Sequence, residues 1–469
     1  MLRSVVLALL AAYVALLLRN TCFFASGPDS SGYLGEARMF ASGHLRVDVA
    51  PLRALHLDPS FTGVFTPLGF DPYRNTTEMV PTYPPGLPLH FAAAGLLGGW
   101  KYAPYLVITI AAIVALLLMY GIARELELPA PFAIASAALL AASPIFISFA
   151  MQPMSDLPAT TWALAAIFFA LRSRKMPALA LAAGAALAIG VWVRPTNILL
   201  GVALLFALPL RVRQLAFAAL GALPFAIALA WLQRVQYGGW FRTAYGTVGD
   251  IVSANMPCLA FHASGTLQMV TPLVIAGALL VIAMSGVAWH TRAMLVSWFG
   301  VFFAFYAAYH YCEGWISSRF LLPAIPALIV GSLIALERLT RSRRAFAVMA
   351  ILIVVIGEAR AGSKLKVFRI DDYESVFPES VRYVEQRVPK DALLVTGVLS
   401  GAFYNAGHWT ARWDRLDAEH FAALRAAAHA PIFAMISDVE VPAAELHRRL
   451  PGRWLRVGRI RDVTLYRVD

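Results

Sequence analysis

A chain of 469 residues that is 59% hydrophobic and only 14% charged is not a soluble globular protein, and its apolar stretches recur near the roughly 20 residues that cross a bilayer as helix. The formal charge is +12, but residues 1–370 hold 26 Lys and Arg against 13 acidic residues whereas 371–469 hold 13 against 14. The excess belongs to the apolar portion, where it fixes orientation and meets anionic head groups; with no compact basic and aromatic surface, it excludes nucleic-acid binding.

A backbone in lipid must satisfy its own hydrogen bonds, and unbroken apolar runs without period-two alternation select helices over a barrel. The first segment, residues 1–24, carries Arg3 and a long apolar run with no clean small-x-small cleavage pattern, so it reads as an uncleaved signal anchor entering from the cytoplasm. A polar stretch follows to about residue 82, holding Asp29, Glu36, Asp48, Asp58, Asp71 and Glu78. It is expected to be a folded extramembrane loop. Further spans are expected near 102–123, 130–150, 156–171, 177–193, 195–210, 214–234, 271–289, 293–311, 320–337 and 345–360. Two of them, 156–171 and 195–210, are short of a full crossing.

The run from Tyr83 to Leu97 decides the parity of everything downstream. If it lies at the interface instead of spanning, Arg172 to Lys175, Arg211 with Arg213, Arg292, and Arg338 to Arg344 all fall inside, as the positive-inside bias requires. That count is eleven spans, with the N-terminus inside and residues 25–100 outside. From about 374 the composition becomes that of a soluble domain. Helices are expected at 375–388, 417–430 and 442–450, and strands at 392–396, 431–436, 454–460 and 462–468, which together make a small α/β domain. The organisation expected is a membrane domain over 1–360 and a soluble α/β domain over 365–469 on the outer face. Cys22, Cys258 and Cys312 lack metal-ligand spacing and are read as buried thiols, with a Cys258–Cys312 disulfide as the alternative. Asn75-Thr76-Thr77 is a glycosylation sequon on the outer side.

Asp29 stands in Gly27-Pro28-Asp29-Ser30-Ser31-Gly32-Tyr33-Leu34, directly after the first apolar segment. Pro28 stiffens the approach, the small residues let a ligand come close, and Tyr33-Leu34 begins an amphipathic helix carrying Glu36, Met39 and Phe40. A short carboxylate at such a junction is placed to act as a base, or is a solvated loop residue. Arg194 interrupts about 30 otherwise apolar residues and needs an anion, whether by snorkelling, by pairing with Asp156 or by binding a lipid phosphate. Arg319 precedes a span, where its planar fork suits a phosphate or pairs with Glu313. Asp156 opens a span and either caps that helix or joins the outer cavity. Trp315 reads as an interfacial anchor. No Walker loop, Rossmann glycine pattern, nucleophile elbow or Cys/His zinc framework is present.

In their joint order these segments resemble the GT-C membrane glycosyltransferases: Pro28 to Arg38 with Gly43 closing the helix, Pro81 to Leu89, Ser155 to Ala159, Arg194-Pro195-Thr196 and Arg319 to Pro323. The resemblance covers about residues 1–340. It is to the bacterial branch that includes the lipopolysaccharide galacturonosyltransferase-like enzymes, the aminoarabinose transferases and the protein O-mannosyltransferases. It implies a polytopic α-helical GT-C fold and a sugar donor on a polyprenyl phosphate. It also implies a lipid, glycan or protein acceptor and inverting transfer at the outer face of a bacterial inner membrane. Asp29 is the implied base, with Tyr33, Glu36, Tyr83, Asp156, Arg194 and Arg319 as substrate-binding residues. Serines follow Asp29 where many relatives carry a second acidic residue, so no metal or other cofactor is assigned. A transporter or lipid flippase is the rival reading, and its mark would be symmetric halves with interrupted helices; no such symmetry is visible.

Overall fold

The computed structural model describes residues 2–209, 211–246, 248–428 and 430–469, without the side chains of 2, 3, 248, 315, 316, 371 and 443. The Arg3 and Trp315 side chains, and the ends of the segments expected at 195–210 and 417–430, therefore touch positions outside the described residues. The chain divides into two compact units, one of residues 1–21, 105–230 and 245–370, the other of 22–104, 231–244 and 371–469.

The first unit is helical. Ala103–Glu125, Val212–Tyr237 and Arg344–Lys364 are each long and apolar enough to cross a membrane. Two bent pairs, Ala130–Ala142 with Pro144–Ala150 (68°) and Leu259–Met269 with Pro272–Ala283 (106°), are apolar enough to count as one span each. The bends have a local cause. Pro144 and Pro272 sit at the first turn of the second helix, where a missing N–H costs nothing and a continuing helix would lose a bond. The segment expected as one span over 130–150 is thus broken at Ser143. The expected 195–210 span is a 3-10 turn, Pro195–Leu199, followed by the eight-residue helix Leu200–Ala207. Asp156–Arg172, Leu179–Val193, Trp289–Ala307 and Ile325–Leu339 lie near the other expected positions. Cys258 and Cys312 are joined as a disulfide, which corrects the reading as buried thiols; Cys22 alone is a free, buried thiol. Sequence distance, 54 residues, hid the pairing.

The second unit is α/β. Its helix Gly27–Ala41 begins earlier than Tyr33, so Asp29 lies in the first helical turn. Pro28 is the reason, since its fixed φ is already helical and Gly27 turns the chain at φ 74°. A small antiparallel sheet, not foreseen, pairs Glu78–Pro81 with Val47–Asp48 on one side and Phe70–Pro72 on the other. Toward the C-terminus five strands run in the order Thr410–Arg412, Leu393–Thr396, Ile432–Ser437, Val463–Val468, Trp454–Ile460. The first three are parallel and the last two antiparallel. Every residue of Leu393–Thr396 and of Ile432–Ser437 is buried, as central strands covered on both faces require. Met39, Phe65, Phe70 and Met79 share one apolar core with Val395, Phe421 and Ile436, which fastens the Asp29 helix and its sheet to the C-terminal strands.

Candidate active site

In the second unit, Tyr83 donates its phenolic O–H to Asp29 Oδ1 at 2.8 Å. The rings of Tyr33 and Tyr83 pack with centroids 4.7 Å apart, one turn beyond Asp29 on the same helix. This closeness depends on glycine. A Cβ on Gly32 would lie 2.3 Å from the Tyr83 ring and 2.8 Å from the Gly69 Cα. The other side of the helix is locked by Asn405, which donates from Nδ2 to the carbonyl of Ser31 at 2.8 Å. Asp29 is therefore held by the Tyr83 hydroxyl on a helix packed from both sides.

Glu374 is a second carboxyl at this place that sequence reasoning missed. Its Oε2 would lie 3.7 Å from a Cβ on Gly27, and burial together with the charge of Asp29 raises its pKa above the ordinary carboxylate range. It lies 345 residues downstream, so no local pattern pointed to it. Glu36 is fully buried, neither carboxyl oxygen has a hydrogen-bond partner, and burial pushes its pKa well up. Among the described residues no three His, Cys, Asp or Glu side chains converge to hold a metal.

In the first unit, three of the expected residues meet. Asp156 Oδ1 accepts from Arg194 Nη1 at 2.7 Å and lies 3.8 Å from Arg319 Nε. The Asp156 side chain is fully buried, and those of Arg194 and Arg319 are 12% and 17% exposed. Arg194 is put there by the end of the helix Leu179–Val193: ahead of Pro195 it is forced into an extended conformation (φ −148°, ψ 113°) that stops the helix. Asp156 is the first residue of its helix and follows the N-cap residue Ser155, so it does not occupy the capping position itself. The capping role is corrected: the buried guanidinium is the stronger partner for a desolvated carboxylate. Arg319 likewise turns to Asp156 and not to Glu313. The guanidinium carbons lie 5.3 Å (Arg194) and 5.4 Å (Arg319) from the Phe320 ring, and Phe149 is 5.7 Å from Arg319. Phe149, Phe320 and the Thr196–Tyr306 hydroxyl pair at 2.7 Å were not foreseen, since aromatics in apolar runs look like core. Two cations on one carboxylate leave this group of three with an excess positive charge in a low-dielectric setting. That combination suits an anion.

The family described as dolichyl-phosphate-mannose-protein mannosyltransferase matches residues 84–232, which include Asp156 and Arg194. Nearly the whole chain is similar in fold to ArnT from Cupriavidus metallidurans in its crystal structure bound to undecaprenyl phosphate. The TM-score is 0.68 at 14% identity, over 99% of this chain and 98% of that one. The oligosaccharyltransferase of Archaeoglobus fulgidus matches with TM-score 0.54 at 12% identity, over 94% of this chain and 70% of that one. The mycobacterial arabinofuranosyltransferase AftD matches with TM-score 0.58 at 13% identity, over 99% of this chain but only 40% of that much longer one. Among curated proteins none matches the chain in sequence. The chain carries the GT-C fold of these solved structures.

Proposed function

We propose that the chain transfers a sugar from a polyprenyl-phosphate carrier to a hydroxyl of a lipid, glycan or protein acceptor, with inversion at the anomeric carbon. Asp29 takes the proton of the acceptor hydroxyl, whose oxygen forms the new bond to that carbon. The bond from the anomeric carbon to the phosphate oxygen breaks, and polyprenyl phosphate leaves with the electron pair. Arg194 and Arg319 stabilise the charge that grows on the departing phosphate. Tyr33 and Tyr83 line the approach to the base. The convergence of two mostly buried arginines on the fully buried Asp156, in a fold shared with a protein solved with undecaprenyl phosphate, carries this reading.

Orientation follows the positive-inside bias, with the clusters at 172–175, 211–213 and 338–344 in the cytoplasm of a bacterial cell and residues 25–100 and 371–469 outside the inner membrane. The helix Gly86–Gly98 then lies at the interface, where its exposed Leu89, Leu96 and Leu97 face lipid. The test is the lipid and glycan profile of cells producing wild type, Asp29→Asn or a Lys390→Ala control at matched membrane levels. Asp29→Asn is expected to lose one glycan modification and accumulate lipid-linked sugar, with turnover down about 10²- to 10⁴-fold. An unchanged profile, where deletion of the gene does change it, would remove Asp29 from the chemistry.

A further inference from the structure

The helix that carries Asp29 has a second functional-looking face. At 100° per residue, Gly35, Arg38, Met39 and Ser42 fall roughly 130° round the axis from Asp29, and Arg38 lies about 14 Å along it. These residues line an open cleft of about 540 Å³ whose remaining walls include His44, Arg46, Glu78 and Tyr404. The volume is that of a small-molecule site, and its charged and polar side chains share the lining with a larger apolar surface, which suits a ring that has both hydrogen-bonding groups and an apolar face.

The charges of the walls are nearly all spoken for. Arg46 pairs with Glu78 at 2.8 Å, and Asp48, also in the wall, pairs with Arg53 at 2.7 Å. Arg38 is the exception. Its guanidinium donates to the carbonyl of Asn405 and stands 5.8 Å over the ring of Trp100, and it meets no carboxylate among the described residues. The cleft thus offers one uncompensated cation and the Ser42 hydroxyl paired to His44 Nδ1 at 3.0 Å.

We propose that this cleft binds an acidic sugar unit, one anionic group on a polyhydroxylated ring, as a distal part of the acceptor. The inference rests on the transferase reading, and the position of the cleft defines its role. A unit held at Arg38 is too far along and round the helix to present the reacting hydroxyl to Asp29, so it anchors an extended acceptor and selects it by charge.

The probe is cellobiouronic acid, which has one carboxylate, against its neutral twin cellobiose, titrated calorimetrically into the full-length protein in phosphatidylcholine nanodiscs. Cellobiouronic acid is expected to bind about ten- to a hundredfold more tightly, the value of one charge-assisted hydrogen-bonded contact. Arg38→Ala should erase that preference. Ser42→Tyr, which fills the cleft from its rim and leaves Arg38 in place, should abolish binding of both sugars, so the test survives if Arg38→Ala fails to fold. Asp29→Asn should bind like wild type while losing transfer, so that failure of the cleft and failure of the transferase reading are told apart. Equal binding of the two sugars, or a preference untouched by Arg38→Ala, overturns the proposal. So does inorganic phosphate binding as tightly as cellobiouronic acid, or loss of sugar binding in phosphatidylglycerol nanodiscs, which would reassign Arg38 to a bare anion or a lipid head group.

Discussion

Asp156 and Glu36 are both fully buried carboxyls, and their opposite surroundings give opposite expectations. Asp156 lies against two guanidinium groups, so removing it leaves mostly buried positive charge without this partner. Asp156→Ala is expected to cost about 3–5 kcal/mol, the usual penalty for breaking a buried ion pair. Arg53→Ala, which breaks a pair whose side chains are 81% and 53% exposed, should cost under about 1 kcal/mol. Denaturation of the two variants in the same detergent measures the contrast, and equal losses would mean that Asp156 is solvated. Glu36 has no partner, and burial holds its pKa well above the ordinary range. As pH rises past the ordinary carboxylate range the unfolded chain gives up this proton while the folded chain keeps it, so the wild type loses stability until the folded group also ionises. Glu36→Gln removes that loss. Its melting temperature relative to wild type is expected to climb between acid and alkaline pH, and a flat difference would show that Glu36 is ionised in the fold.

Element by element, what was legible follows from how local the cause is. Pro28, Pro195 and Pro272 act on their own turn, and the apolar runs of the long spans carry their own signal. The seven expected elements beyond residue 374 all reappear within a few residues, because continuous apolar runs and helical patterns there are local signals. The sheet at 47–81 was not legible, since strands of two to four residues are too short to show alternation. The helix Ser400–Asn405 and the strand Thr410–Arg412 were missed for the same reason. In the site, the residue types at Asp29, Asp156, Arg194 and Arg319 were readable one by one. The Asp156–Arg194 pair stood among the readings for Arg194, but the Arg319 contact to Asp156 and the closeness of Glu374 to Gly27 were not readable, because packing makes them across long sequence separations. Glycine shows the same division. Gly32 sits under Tyr83 and against Gly69, whereas Gly201, also helical, has nothing within 4 Å of an added Cβ. Gly32→Ala is therefore expected to destabilise by about 1–3 kcal/mol through overpacking and to misplace Tyr83 from Asp29. Gly201→Ala should be neutral or stabilise by up to about 1 kcal/mol. Thermal melts joined to a transfer assay separate them, and an active, stable Gly32→Ala would show that the Tyr83 contact is dispensable.

At the scale of the whole molecule, the disulfide is the feature that reports on which side of the membrane the chain works. The cross-link closes 54 residues around the Leu259–Met269 and Pro272–Ala283 bend and the helix Trp289–Ala307. Closing a loop of that length restrains the unfolded chain by about 4 kcal/mol in the entropic account, with measured values commonly 2–4 kcal/mol. Cys258→Ser with Cys312→Ser should accordingly lower the melting temperature by several degrees, whereas Cys22→Ser, at a lone buried thiol, should lose only local packing. Such a bond persists only where the surroundings are oxidising, which agrees with the orientation proposed from the charge bias. In intact spheroplasts of a Cys22→Ser chain, a membrane-impermeant maleimide is expected to label the protein only after an impermeant phosphine has reduced the bond. Labelling that instead requires permeabilisation of the membrane would invert the orientation. It would put the extramembrane carboxylates on the cytoplasmic side and with them the chemistry proposed for Asp29.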